Sequence, residues 1–196
     1  MKLILCCRYL QIDFIKMKRI YNQQALFGPL YAYLVVLSPP QQIIADMARF
    51  KKEMDAIAGI GELNLHSKAH ITLTDKLTDD AHFQETIAQL LNGQKKFQIK
   101  VSGHGFFDHR PKKTIFVNVE DREPIANLMQ LLKIKSGFPH MSLAKKITPD
   151  KFEKLRQWLA DFDYSAEWEC TEVLVLRKLM SEKHLGFRES FKIALD

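Results

Sequence analysis

Cysteine is scarce in this chain of 196 residues, which holds three: Cys6, Cys7 and Cys170. No Cys-x-x-Cys pair occurs, so neither a disulfide framework nor a cysteine-based structural zinc site is expected. This usage is typical of a reducing compartment, and we expect a cytoplasmic protein. Long apolar runs and Gly/Ser-rich linkers are also missing, which argues against a membrane span and against flexibly joined domains.

Residues 1–16 (MKLILCCRYLQIDFIK) make a poor signal peptide. Arg8 and Asp13 interrupt the apolar stretch, and no small-residue cleavage site follows it. We therefore expect residues 1–16 to be an N-terminal extension, with Met17 as the biological start. Residues 28–196 are expected to form a single bilobal domain.

The overall composition is that of an ordinary soluble globular chain, with 46% hydrophobic and 27% charged residues. Basic residues exceed acidic ones, giving a net charge of +6 and a pI of about 9.2. This balance favours anionic partners such as RNA, nucleotides or phosphorylated metabolites. A mildly basic surface without functional meaning explains the charge alone equally well.

Strand-like and helix-like segments alternate along the chain. Residues 30–37 (LYAYLVVL) have the composition of a buried strand, and apolar residues at helical spacing follow. A short strand over 68–74, a helix beginning near Thr78 and a strand over 97–107 come next. These segments give the order strand, helix, short strand, helix, strand.

The same order then occurs a second time. Strands are predicted over 114–119, 139–144 and 170–178, with one helix in each interval. This pattern predicts one duplicated α+β unit, with a first half at 28–108 and a second half at 112–196.

Each copy carries a His-x-hydroxyl motif in its short strand. His70 and Thr72 are two residues apart in KAHITLT, as are His140 and Ser142 in PHMSLA. Residues i and i+2 of a strand project from the same face, so each histidine shares a face with a hydroxyl. The duplication then predicts that both pairs surround one cleft.

These side chains suit the in-line cleavage of a phosphodiester. One imidazole can take the proton from the nucleophile and the other can protonate the leaving oxygen, because the ordinary histidine pKa is about 6.5. The hydroxyls can donate hydrogen bonds to the non-bridging phosphate oxygens. For so short a motif, the alternative is a pair of hydrogen-bonded histidines within a core sheet.

The segments AHITLT and FPHMSLAKK resemble the paired H-x-T/S-φ motifs, φ being apolar, of the two-histidine (2H) phosphoesterase superfamily. Within it, the chain most resembles the bacterial RNA 2′–5′ ligase/cyclic phosphodiesterase-like branch, over roughly residues 30–195. The resemblance implies a bilobal α+β fold with antiparallel-rich sheets, pseudo-twofold symmetry and an active-site cleft between the lobes.

By motif position, the resemblance implies that His70 and His140 are the catalytic pair and that Thr72 and Ser142 bind phosphate. It implies chemistry on 2′,3′-cyclic phosphates or 2′–5′ linkages of RNA or nucleotides, with no metal or other cofactor. Lys145 fills the place of a basic residue that often follows the second motif. The serine of the second motif, where threonine is common, keeps the hydroxyl.

Two phenylalanines are further candidates for substrate binding. Phe107 and Phe138 can stack on a nucleobase, although each is also readily explained as core. His66 and His70 have the i,i+4 spacing of metal ligands on a helix. Because this segment is predicted as loop and strand, we expect no metal site there.

Three functions stay open on the sequence alone. The favoured one is a phosphodiesterase acting on cyclic-phosphate or 2′–5′ linked RNA, with ligation as its reverse reaction. The others are an RNA- or nucleotide-binding module with little turnover, and a 2H enzyme acting on a non-RNA phosphodiester. The pseudo-symmetry does not tell which histidine is the base. A monomer with no membrane partner is expected.

Overall fold

A computed structural model describes residues 28–134, 137–182, 186–187 and 189–196. The expected N-terminal extension and its Met17 start lie outside these residues. Within the described part, no helix is long and apolar enough to cross a membrane.

Eight strands form one sheet in the described residues. Their bounds are β1 Tyr31–Leu37, β2 Ile71–Thr78, β3 Phe97–Asp108, β4 Lys113–Val119, β5 His140–Ile147, β6 Ser165–Cys170, β7 Glu172–Leu179 and β8 Glu189–Ala194. The helices between them are α1 Gln41–Ala58, α2 Glu62–Leu65, α3 Phe83–Leu90, α4 Glu123–Leu131, α5 Pro149–Lys154 and α6 Arg156–Ala160.

Every strand of the sheet is antiparallel to its neighbours, in the order β6-β3-β4-β5-β2-β1-β7-β8. The sheet consists of two four-stranded lobes, which meet where β5 lies beside β2. Ile71 pairs with Met141 at this junction. The predicted α+β fold with antiparallel strands and two lobes is confirmed.

The two lobes have the same internal order. β1 and β2 of one lobe correspond to β4 and β5 of the other, and β7 beside β1 corresponds to β3 beside β4. The outermost strands are β8 and β6. Each lobe therefore takes strands from both halves of the sequence, since β3 pairs with β4 and β7 pairs with β1. This exchange of strands ties the lobes into one unit.

Equivalent β-bulges mark the two central strands. The register of β2 against β1 shifts at Leu73, and the register of β5 against β4 shifts at Leu143. Each leucine is the third residue after a motif histidine, and each is 1% exposed. A bulge bends its strand and re-aims the neighbouring side chains. The duplication thus extends to the backbone around both motifs.

The hydrophobic core lies between the sheet and the helices. The inward face of α1 carries buried residues at helical spacing, among them Ile43, Met47 and Met54. α1 packs against β5 and α4 packs against β2. Each of these helices therefore covers a motif strand of the opposite lobe.

The expected helix start near Thr78 is wrong. β2 runs on to Thr78, which pairs with Tyr31, and α3 begins at Phe83. The Thr78 hydroxyl accepts a hydrogen bond from the Asp80 N–H at 3.2 Å, so it closes a turn after the strand.

Candidate active site

Each motif histidine lies at the start of a central strand. His70 immediately precedes β2, and His140 is the first residue of β5. The residues that follow them, Ile71 and Met141, are both fully buried and form the cross-strand pair at the lobe junction. Because side chains alternate along a strand, the histidines project from the face of the sheet opposite the core.

The two hydroxyl residues share that face. Antiparallel pairing about the junction places His70 opposite Ser142 and Thr72 opposite His140. All four side chains are half-buried. The structure therefore brings the four predicted motif residues together across the lobe junction, with the two histidines on one diagonal.

Both imidazoles are oriented by a main-chain carbonyl. Nδ1 of His70 donates to the carbonyl oxygen of Lys68 at 2.8 Å, and Nδ1 of His140 donates to that of Phe138 at 2.7 Å. A carbonyl only accepts, so Nδ1 carries the proton and Nε2 of the neutral ring is a free acceptor. Neither Nε2 forms a hydrogen bond to a described residue. Both rings thus keep the proton-accepting nitrogen available to a ligand.

The pKa of His70 is lowered from the ordinary histidine value. Burial is the largest cause, and the positive charges of Lys145, Lys51 and protonated His140 act in the same direction. The hydrogen bond to the Lys68 carbonyl opposes these effects. His70 is therefore more often neutral near pH 6 than an exposed histidine.

The pKa of His140 is lowered as well. Burial is again the largest cause, and the charge of Lys145 adds to it, while the hydrogen bond to the Phe138 carbonyl opposes both. Lys145 thus acts on both imidazoles.

A pocket of about 450 Å³ opens beside the first motif. It lies between the α2 region and β5, and both His70 and Ser142 line it. Three lysines contribute to its wall: Lys68, Lys145 and Lys146. A pocket with this lining suits an anionic ligand in contact with His70 and Ser142.

Lys145 is held in place through its backbone. Oδ1 of Asn64 accepts the Lys145 N–H at 2.8 Å, and Nδ2 of Asn64 donates to the Lys145 carbonyl at 3.1 Å. The next residue, Lys146, has a φ of +60°, which is uncommon for a residue with a side chain. The register of β5 against β4 also shifts at these lysines. This irregular backbone turns both lysines into the wall of the pocket.

An aromatic cluster lies against the second histidine. The ring centroids of Phe107 and Phe116 are 4.9 and 5.2 Å from that of His140. Phe138 stands 5.3 Å from Phe107 and has the guanidinium of Arg122 3.8 Å above its ring. Its side chain is 40% exposed. The structure thus places both predicted aromatic residues beside His140, with Phe138 open to solvent.

Three residues near the site were not predicted from the sequence. Phe116 and Asn64 carry no local signal, because their roles depend on partners distant in the chain. Lys51 does carry one: it occupies the apolar stripe of α1 with Met47 and Met54, at a spacing of four and three residues. A charged residue inside an apolar stripe marks a buried polar contact.

Within the described residues, no group of three or more His, Cys, Asp or Glu side chains is placed to hold a metal ion. His66 lies just beyond α2 and contacts Glu62 at 2.8 Å, with its side chain 81% exposed. His70 lies further along the chain, just before β2. The i,i+4 spacing of the two histidines therefore does not put them on one helical face.

The family model of the 2′-5′ RNA ligase superfamily matches residues 39–181, a span that includes both motifs. The chain belongs to this superfamily. The predicted kinship with the 2H phosphoesterases is thereby confirmed. Membership of the 2′-5′ RNA ligase superfamily supports an enzymatic function on phosphodiesters. No sequence among the curated proteins matches the chain.

Solved structures of two bacterial proteins have the same fold. TT0787 of Thermus thermophilus is 14% identical, with a TM-score of 0.57 over 84% of this chain and 99% of that one. Apo LigT of E. coli is also 14% identical, with a TM-score of 0.56 over 86% of this chain and 96% of that one. At such low identity these likenesses concern the fold alone.

Proposed function

We propose that this protein is a metal-independent phosphodiesterase that acts on 2′,3′-cyclic phosphates or 2′–5′ linkages of RNA or nucleotides. His70 and His140 are its general acid and base. The observation that carries the proposal is the matched orientation of the two rings, each with Nδ1 bonded to a carbonyl and Nε2 without a hydrogen bond to any described residue. Two such nitrogens supply both proton transfers that the reaction needs.

The chemistry is a single in-line displacement at phosphorus. One Nε2 takes a proton from the attacking water while the water oxygen forms a bond to phosphorus. The bond from phosphorus to the leaving ribose oxygen breaks, and the protonated ring opposite gives its proton to that oxygen. With a 5′-hydroxyl in place of water, the same steps join two RNA ends by a 2′–5′ linkage.

Thr72 and Ser142 complete the site in this proposal. Their hydroxyls face the same space as the imidazoles and donate hydrogen bonds to the non-bridging oxygens, where negative charge resides. Lys145 adds a positive charge that acts on both histidines and favours a bound phosphate. These groups hold the phosphorus in line between the two rings.

A nucleotide is the ligand class that fits the surroundings. Phe107 and Phe138 offer aromatic faces beside His140, and bases stack on such faces without regard to sequence. Structures of E. coli LigT hold 3′-AMP, with a TM-score of 0.51, and ATP, with a TM-score of 0.56. These ligands support the choice of a nucleotide for the present chain.

The test is a panel of 2′,3′-cyclic mononucleotides, 2′–5′ linked dinucleotides and RNA with a cyclic-phosphate end, with products resolved as 2′- or 3′-phosphates. We expect turnover, and a loss of at least about 100-fold in both His70→Ala and His140→Ala, since each proton transfer contributes about that factor or more. His82→Ala is the matched control, because His82 is 74% exposed and contacts Glu85.

Full activity in either motif variant contradicts the proposed mechanism. Salt-dependent RNA binding by the wild type, with no product from any substrate of the panel, identifies a binding module instead.

A further inference from the structure

Lys51 is a buried lysine that the proposed reaction does not use. Its side chain is 1% exposed and lies on the inward face of α1. Within the described residues it forms no ion pair. Its ammonium instead donates to the carbonyl oxygen of Ser67 and, at 2.7 Å, to the Ser67 hydroxyl. Burial of a cation without a counter-charge costs free energy, and the two hydrogen bonds to Ser67 offset part of that cost.

The pKa of Lys51 reflects this cost. Burial, aided by the positive charge of Lys145, lowers it to about 8. At pH 7 the side chain is still mostly protonated and able to donate all three of its N–H groups.

The segment that Lys51 binds is the one that orients the first histidine. Ser67 is followed by Lys68, whose carbonyl oxygen accepts the Nδ1 proton of His70 at 2.8 Å. A shift of Ser67 therefore moves the acceptor that aims the ring. Lys51 is the buried anchor of that acceptor.

The same serine is linked to the other lobe. Its N–H and its hydroxyl both donate to the carbonyl oxygen of Asn64, at 3.3 and 2.9 Å. The amide side chain of Asn64 forms two hydrogen bonds with the backbone of Lys145 in β5. A continuous chain of hydrogen bonds thus runs from α1, through Ser67 and Asn64, to the strand that carries the second motif.

We propose that Lys51 is a positioning residue, which holds His70 and Lys145 at a fixed separation through Ser67 and Asn64. This inference rests on the proposed function only for its kinetic consequences. The orientation of the His70 ring and the position of Lys145 can be measured in the protein without a substrate.

Lys51 also makes the two histidines unequal. Among the described residues, the charged groups that act on His70 are Lys145, Lys51 and His140, whereas Lys145 is the one that acts on His140. Loss of the charge at Lys51 therefore acts directly on the pKa of His70 and not on that of His140.

The decisive experiment compares Lys51→Met with Lys52→Met. Lys52 is exposed on the same helix, so its variant loses the same charge without touching the network. By NMR of the histidine rings, we expect Lys51→Met to weaken the Nδ1–H hydrogen bond of His70, and this signal is the readout. The pKa of His70 does not report the aim of the ring, because loss of the Lys51 charge raises it whereas a weaker bond to the Lys68 carbonyl lowers it. With a substrate that the wild type turns over, kcat should fall about tenfold or more with a smaller change in KM, as for a displaced catalytic group.

Ser67→Ala and Asn64→Ala test the same series of hydrogen bonds if Lys51→Met fails to fold. Both residues lie outside the core. Ser67→Ala should change the His70 ring signals, and Asn64→Ala should weaken the effect of Lys145 on both histidines. Nδ1–H signals of His70 in all three variants that match the signal in Lys52→Met overturn the proposal. Because these NMR measurements need no substrate, an inactive wild type would refute the proposed function and leave this inference decidable.

Discussion

Ile71 in β2 pairs with Met141 in β5, and this contact joins the two lobes of the sheet. Each of the two residues directly follows a motif histidine, so the junction fixes the position of one motif relative to the other. A slip of β2 by one residue against β5 would turn His70 into the core while His140 kept its place, because strand side chains alternate. The full burial of both residues specifies the register. The contacts that stabilise the lobe junction are thus the same contacts that set the geometry of the site.

The pH dependence of kcat/KM on a cyclic mononucleotide should be a bell displaced to the acidic side. One histidine must be neutral and the other protonated, and both have a pKa lowered mainly by burial. The base loses activity as pH falls through the lower apparent pKa, and the acid loses its proton as pH rises through the higher one. We therefore expect the alkaline limb to begin below the ordinary histidine value of about 6.5.

The profile of kcat/KM is the proper measurement because it reports the free enzyme, in which these shifts are present. The profile of kcat should lie at higher pH, since a bound phosphate stabilises imidazolium. A bell of kcat/KM centred above pH 7 would contradict the burial argument.

Removal of the exposed ring of Phe138 should weaken nucleotide binding while sparing phosphate. Stacking on an aromatic side chain contributes about 1–3 kcal/mol per base, so Phe138→Ala should raise KM for a cyclic nucleotide about tenfold with little change in kcat. Inhibition by inorganic phosphate should be unchanged. Phe106→Ala is the control, because Phe106 is 49% exposed and packs against Phe152, away from His140. Equal effects of the two substitutions would remove the stacking role.

The motif strands were predictable because they follow a local rule. In each, a histidine and a hydroxyl alternate with two apolar residues, such as Ile71 and Leu73, which the structure buries. A period of two needs no knowledge of the rest of the chain. The pairing of the motifs was also predictable, because the duplicated order of elements gives the two strands equivalent places.

The rest depends on distant partners. β6 (SAEWEC) was not predicted, since glutamate is a poor strand former. It forms because it pairs with β3, where Glu167 stands opposite Lys100. The exchange of β3 and β7 between the lobes was not predictable either, because it depends on which strands pair, and β1 and β7 lie far apart in the sequence. The amide contacts of Asn64 with Lys145 span 81 residues, which no local pattern records.

Gly105 should tolerate no side chain. A Cβ at this position would lie 2.8 Å from the Phe116 ring and 3.0 Å from Oδ1 of Asn118. Phe116 is 3% exposed and contacts His140, so it has little room to withdraw. We expect Gly105→Ala to lower the free energy of unfolding by about 1–3 kcal/mol, as for other overpacked sites, and to reduce kcat.

The double variant Gly105→Ala/Phe116→Leu separates this clash from other causes. The smaller leucine makes room for the new methyl group, so the double variant should be more stable than the sum of the single effects predicts. Urea denaturation measures all three proteins. Strictly additive losses would show that the two side chains do not compete for the same space.

Lys145→Ala should change both substrate affinity and the pH profile. The exposed ammonium favours a bound phosphate, and charge-assisted contacts of this kind are worth about 1.5 kcal/mol or more, so KM should rise about tenfold. The positive charge of Lys145 also lowers the pKa of both His70 and His140. Its removal should therefore move both limbs of the kcat/KM bell toward neutral pH.

Lys95→Ala, which removes an exposed charge ahead of β3, is the matched control and should alter neither KM nor the pH profile. A rise in KM without movement of the bell would place the ammonium near the phosphate but too far from the imidazoles to act on them. Movement of the bell without a rise in KM would show that the ammonium acts on the imidazoles but does not contact the phosphate.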